Sequence, residues 1–309
     1  MNNILTFESN NFNDLFIKTC YSLLTIGSWT RPRGFKCKEL IGCRLVLNNP
    51  LDCLITIKDR KLNYAYSIIE KFSYLSGKSN EEIILSYNSK MKDFLNTSGT
   101  FDGAYGPRIS NGDQFNHAFE LLKNDEDSRQ AVITINDFRD RRTSLDKPCT
   151  LSLQFLIRSN KLILITTMRS NDIMWGLCLD APAFCFLQEV MCSWLRKYYP
   201  TLGLGEYIHQ AGSMHYYDNF EEQIVNMVKP ERQMGEYYKL LNFNELNNVK
   251  NPTWDISKED TNEALELFWK NESIIRSSLL YEETRFKCIN QYLDILLNYW
   301  KKKSEKNKA

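Results

Sequence analysis

Residues 149–168, CTLSLQFLIRSNKLILITTM, set the tightest limit on the fold. Two runs alternate apolar and polar side chains, the period of a strand with one face in a core. Between them lies Ser159-Asn160, a pair suited to a two-residue hairpin turn. Next comes MRSNDIMWGLCLD (168–180), which threads an arginine, a serine and two aspartates through apolar residues. It runs into APAFCFLQEVMCSWLRKYY (181–199), apolar on nearly every side, a pattern that predicts a buried helix. A hairpin followed by a buried helix, with polar chemistry at their junction, is the frame for everything else.

The same periodicities predict helices over 12–27, 62–76 and 113–124, with Gly77 stopping the second. They predict strands over 39–47 and 130–135. The expected class is α+β: a mostly antiparallel sheet with packed helices and one central buried helix. From about residue 241 the chain turns rich in Asn, Glu and Lys, with helical runs near 259–270 and 283–301. The expected division is a catalytic domain over 1–240 and a helical extension over 241–309 packed on it, ending in the solvated basic tail KKKSEKNKA.

Lys plus Arg total 39 and Asp plus Glu total 38, a net charge of +1, which excludes a broad polyanion-binding surface and so a nucleic-acid partner. A few arginines aimed at one phosphate would not disturb that balance. No apolar run approaches the ~20 residues of a bilayer span, and the N-terminus lacks the pattern of a signal peptide. Nine cysteines, an odd number without metal-ligand spacing, fit a reduced, cytoplasmic chain that holds no metal.

Single residues are weak signals. Cys149, after a proline at the start of a strand, suits a buried strand cysteine; as a nucleophile it needs a nearby cation, and the hairpin returns Arg169 beside it. Glu70 suits a solvent-facing helix position, Arg129 a surface cation, and Tyr105 in FDGAYGPR a turn aromatic. His215 and Tyr217 alternate on one face of an extended segment, where His215 suits a bonded core histidine.

Taken in order, these stretches resemble the thymidylate synthase family. Glu70 seven residues before Gly77, GAYG, DSRQ, KPCTLSLQF, MRSNDIMWG and GSMHYY fall in that family's order over about residues 31–225. The resemblance implies covalent catalysis on a pyrimidine nucleoside monophosphate, with 5,10-methylenetetrahydrofolate as the one-carbon co-substrate. It implies Cys149 as nucleophile, Glu70 as proton carrier through ordered water and Tyr105 in the proton network around C5. Arg169 and Ser170 would bind phosphate, helped by Arg31 or Arg33. Arg129 would reach the phosphate of the other subunit in a homodimer with shared sites. His215 and Tyr217 would meet the sugar hydroxyl and Asp172 the folate pterin.

Departures from the family pattern refine this. At the base-reading position, asparagine in thymidylate synthases, stands Asp180, eleven residues after Arg169. A carboxylate accepts from the amino group of cytosine and, sharing a proton with N3, completes a two-point match; opposite uracil it faces O4, acceptor against acceptor. Asp180 also suits a helix N-cap before APAF. Thr150 follows the nucleophile where synthases carry histidine. At both positions the chain resembles the cytidylate 5-hydroxymethylase branch. Met91 replaces the tryptophan that shields the intermediate, and the synthase's closing C-terminal peptide is not recognisable. A wetter site favours water over hydride and a hydroxymethyl product. In the other direction, DSRQ has one arginine where synthases have two. CMP and dCMP both fit, because His215 and Tyr217 would reach a 3′-hydroxyl that the two sugars share. The alternatives are an atypical thymidylate synthase acting on dUMP and a nucleotide-binding homologue without turnover.

Overall fold

The computed structural model describes residues 5–137, 140, 146–228 and 252–306. The expected hairpin forms as β5 (Thr150–Arg158) and β6 (Lys161–Met168). Ser159 and Asn160 both take positive φ, 50° and 58°, the primed turn whose twist matches the strands. One sheet holds eight strands: β1 (Thr6–Ser9), β2 (Ser28–Thr30), β3 (Cys37–Leu47), β4 (Val132–Thr134), β5, β6, β7 (Asn171–Asp172) and β8 (Gly203–Tyr217). Its spine runs β1-β3-β8-β6-β5-β4, with β2 beside β3 and β7 beside β8. Four pairings are antiparallel and three parallel, so the sheet is mostly antiparallel as expected.

The buried helix is α6 (Cys178–Leu195), and it begins earlier than the sequence suggested, behind a π-helical turn over Ile173–Leu177. Together, Ile173–Leu195 form a stretch long and apolar enough to cross a membrane, contrary to the reading of the sequence, with 78% of its 18-residue apolar window buried inside the protein. Gln188, wholly buried in α6, donates through Nε2 to the carbonyl of Leu162 at 2.8 Å. The register slips between Leu162 and Leu164 where β6 meets β8, so the carbonyl there is taken up by a side chain. The helix is thereby keyed to the sheet.

The other face of α6 meets α2 (Tyr64–Ser76), which Gly77 ends in the left-handed conformation at φ 67°. The remaining helices are α1 (Phe12–Ile26), α3 (Glu81–Tyr87), α4 (Tyr105–Ser110), α5 (Gln114–Asn124), α7 (Glu221–Val228), α8 (Thr261–Ser278) and α9 (Lys287–Lys306). The expected 240/241 boundary lies outside the described residues. Beyond it, α8 and α9 join the main core: Phe72 of α2 stacks on Phe268 of α8 at 3.6 Å and meets Tyr292 of α9 edge-on at 5.1 Å. Helix α9 continues through Lys306, so the first six residues of the expected tail are helical. Thus α2 is clamped between α6 and the C-terminal helices, which fixes the residues on its remaining face.

Candidate active site

The site gathers where β6 ends, β5 begins and α2, α4 and α6 converge. Cys149 is half-buried, whereas the other eight cysteines are buried. Its carbonyl accepts from the Arg169 backbone N–H at 2.9 Å, closing the mouth of the hairpin. The Arg169 guanidinium is held in place by two carbonyls, Pro148 O and Lys147 O, each at 3.1 Å. Burial raises the Cys149 thiol pKa, while the Arg169 charge and a hydrogen bond with Ser170 pull it down. The pairing of Cys149 with Arg169 inferred from the hairpin is therefore present, and the nearby cation opposes, without cancelling, the desolvation of a thiolate.

Tyr105 starts α4, and its hydroxyl accepts from the Thr150 backbone N–H at 3.3 Å. Its ring packs against Tyr74 at 5.4 Å and Phe184 at 6.1 Å, the three forming one cluster. Thr150 enters this network through its backbone, with its side chain wholly buried.

Two acids face each other across this space. Glu70 on α2 accepts at Oε1 from the Tyr66 hydroxyl at 2.7 Å, and its Oε2 has no partner among the described residues. Burial pushes the Glu70 pKa up to about 8; Tyr66 favours the charged form, and Asp180 disfavours it. Asp180 is 8% exposed and accepts from Asn171 Nδ2 at 2.7 Å. Burial lifts its pKa to about 7, against the Asn171 hydrogen bond. It is not the helix cap that its position before APAF suggested, because the helix starts upstream. Asp172 is the cap: its Oδ1 accepts from Met174 N and Trp175 N, both at 2.7 Å. The Asp180 carboxylate is thus released from capping.

Asp172 pairs in register with His215 across β7 and β8, and its Oδ2 is buried without a partner among the described residues. Burial raises its pKa, and the capping amides and His215 lower it. His215 and Tyr217 share a face, ring centroids 5.3 Å apart. Of the two candidate arginines, Arg33 stands at Tyr217: burial raises that phenol's pKa, and the Arg33 charge and hydrogen bond lower it. Arg31 is exposed at the start of the same turn.

Arg129 is not brought to the site within this chain. It precedes β4, whose Val132 pairs with Gln154 in the middle of β5, and its carbonyl accepts from Gln154 Nε2 at 3.0 Å. Five residues of extended chain, from Cys149 to Gln154, put that contact about 17 Å away. Arg129 is exposed there, beside a surface depression lined by His117, Asn124 and Asp127.

Asn171, Tyr66 and Trp175 were not singled out in the sequence. Trp175 is 45% exposed one turn after Asp172, with Phe220 edge-on at 5.5 Å and the Lys90 ammonium 5.7 Å from its ring centre. Met91, where the sequence has lost an indole, lies half-buried in the adjoining 3-10 turn Ser89–Phe94. A polar residue and an aromatic inside MRSNDIMWG were the available signal. Among the described residues no cluster of three metal-binding side chains occurs.

The chain is 28% identical to a deoxyuridylate hydroxymethyltransferase of Bacillus phage SP01, over 89% of this chain and 76% of that protein. Proteins of the same name from Delftia phage PhiW-14 and Pseudomonas phage M6 are 28% and 26% identical. Those matches cover 60% and 59% of this chain, and 55% and 51% of the relatives' lengths. The thymidylate synthase family model matches residues 14–262. The chain belongs to the thymidylate synthase family, transferases that act on a pyrimidine nucleotide.

Proposed function

We propose that the chain is a cytidylate 5-hydroxymethylase, transferring a one-carbon unit from 5,10-methylenetetrahydrofolate to C5 of CMP or dCMP and finishing with water. The relatives' names support hydroxymethyl transfer. Asp180 supports the base: a buried carboxyl, freed from capping and bonded to Asn171, stands where an amide would read uracil. That single observation carries the choice of cytosine.

The chemistry follows from the residues. Cys149, as thiolate, forms a bond from Sγ to C6, and the C5=C6 electron pair moves through C4 onto N3 of cytosine. Asp180, with a pKa of about 7, can hold the proton that N3 takes up. The carboxyl's other oxygen accepts from the 4-amino group, so charge develops where a donor already stands. C5 then bonds to the one-carbon unit, its own proton passes through the water network of Tyr105 and Glu70 to the folate amine that would depart, and water adds to the carbon left on C5 as Cys149 is expelled. Glu70, one oxygen fixed by Tyr66 and one open, has a pKa of about 8 and so can take up and hand on that proton near neutral pH. Arg169, Ser170 and Arg33 serve the 5′-phosphate, and His215 and Tyr217 the sugar.

A folate fits beside Asp172: its unpartnered Oδ2 suits the pterin's N–H donors, the exposed Trp175 its ring system and Lys90 its glutamate carboxylate. When bound it supplies the one-carbon unit at the aldehyde level. In a cytoplasmic homodimer Arg129 would serve the partner's phosphate, consistent with its distance from Cys149.

The second reading keeps the reaction and changes the base to uracil, as the names of the phage relatives favour. Incubation with CMP, dCMP, UMP and dUMP in parallel, with products identified by mass, separates them. Gain of one CH2O unit on a cytidylate is expected. Product from dUMP and none from either cytidylate overturns the base assignment; dihydrofolate formation overturns the hydroxymethylase. C5-hydrogen exchange no faster than in Cys149→Ala would leave a nucleotide-binding protein without turnover.

A further inference from the structure

Asn171 is 2% exposed, and the two ends of its amide are treated differently. Nδ2 donates to Asp180 Oδ2 at 2.7 Å, while Oδ1 has no partner among the described residues. A buried asparagine kept for packing normally satisfies both ends, because a buried unpaired carbonyl is costly. Here the amide's side-chain bond goes to Asp180, and room is made for it. At Gly176 an added Cβ would sit 2.6 Å from Asn171 Nδ2 and 3.1 Å from Asp180 Oδ2. The π-helical turn presses backbone against the pair at the one residue with no side chain.

We infer that Asn171 is the positioning residue for base recognition: it pins one oxygen of Asp180 and so decides which oxygen meets N3 and which meets the group on C4. The inference rests on the reading of Asp180 as the residue that meets the base. A carboxyl on its own turns about its last bond between two equivalent settings. Pinned by a donor, it presents Oδ1 to the ligand as a directed acceptor.

The groups around Asp180 explain why such a pin matters. Glu70, Tyr66 and Tyr74 face it from α2, Tyr105 from α4, Tyr207 from β8 and Cys178 from its own helix. Cys149 and Asp172 complete the set. All of these are acids, and none brings positive charge. The Asn171 donor is the contact that favours the ionised carboxylate.

The test compares Asn171→Leu, Gly176→Ala and Asp180→Asn with the unaltered enzyme, measuring kcat/KM for dCMP and dUMP across neutral pH, with thermal melting to check folding. Asn171→Leu is expected to cut the preference for dCMP about tenfold and to move the alkaline limb of the dCMP profile up by about one pH unit. Gly176→Ala, which crowds the amide without removing it, should shift both in the same direction. Asp180→Asn should abolish that limb and change the base preference. If Asp180→Asn changes the preference while the other two variants leave preference and limb unmoved, the role of Asn171 is refuted. If Asp180→Asn leaves the preference unchanged, the reading of Asp180 fails and the inference falls with it.

Discussion

Asp180→Asn is the substitution whose outcome can be worked furthest. The shape is conserved, and Asn171 Nδ2 still needs an acceptor, so the new amide should turn its oxygen toward Asn171. Its nitrogen then points toward the group on C4. Opposite uracil this gives a donor to O4 and an acceptor for N3–H; opposite cytosine it gives donor against donor. The unaltered site has the reverse mismatch. One buried unpaired polar group costs about 1–3 kcal/mol, and the swap both creates one for cytosine and relieves one for uracil. Taking about 3 kcal/mol for the sum, the ratio of kcat/KM for dCMP over dUMP should fall about 150-fold. A competition assay with equal dCMP and dUMP, followed by chromatography of the two products, reads that ratio directly. The Asp180 contribution to the pH profile should vanish as well, leaving the limb from Glu70. A ratio changed by less than about threefold would show that the base does not meet Asp180, since even the smallest mismatch exceeds that.

Three further outcomes follow from the site. Cys149→Ala should abolish exchange of the C5 hydrogen of dCMP with solvent, read by mass, while nucleotide binding persists. Arg169→Met removes the charge that lowers the Cys149 pKa and the bonds to Pro148 O and Lys147 O, so alkylation of Cys149 by iodoacetamide at neutral pH should slow about tenfold. Tyr66→Phe deletes the hydrogen bond that favours ionised Glu70. The Glu70 limb in the pH profile for C5 exchange should move upward from about 8, and a profile left in place would separate Glu70 from the proton transfer.

Much of the architecture was written in periodicity. The hairpin, its Ser159-Asn160 turn and the buried helix appear where alternation and all-round apolarity put them, because those patterns report local burial. Cys149 and Arg169 could be paired from the hairpin for the same reason. What escaped depended on contacts between distant segments. Asp180 reads as an N-cap in isolation; the π-helical turn and the Asp172 cap upstream take that role away, and nothing local announces them. Asn171 looks like any strand polar residue until α6 brings Asp180 against it. The C-terminal helices look like an appendage by composition, yet Trp254, Phe268 and Tyr292 pack against Phe72 and Phe186 in the main core. Arg129 is the opposite case: its motif suggests the site, while the fold sets it beside Gln154, along β5 from Cys149.

The two buried acids also tie function to stability. In the unfolded chain Asp180 titrates near its ordinary 3.8 and Glu70 near 4.5; in the folded protein they titrate at about 7 and about 8. A raised acid pKa means that folding is penalised once the unfolded form ionises, and the penalty grows with pH until the folded pKa is passed. For Asp180 alone, the rise from 3.8 to about 7 sets an upper bound of about 4 kcal/mol at alkaline pH. Asp180→Asn and Glu70→Gln should therefore both raise the melting temperature at pH 8, and by less at pH 5, where most of the penalty has not developed. A gain that is equal at both pH values would mean that packing, rather than the cost of ionisation, separates the variants. The expected pattern is a protein that is less stable than its fold allows because it keeps two protonatable carboxyls desolvated, with no cation among the described residues offsetting the burial of Asp180. That arrangement is unfavourable for folding and suited to chemistry in which protons are lent to a base and recovered.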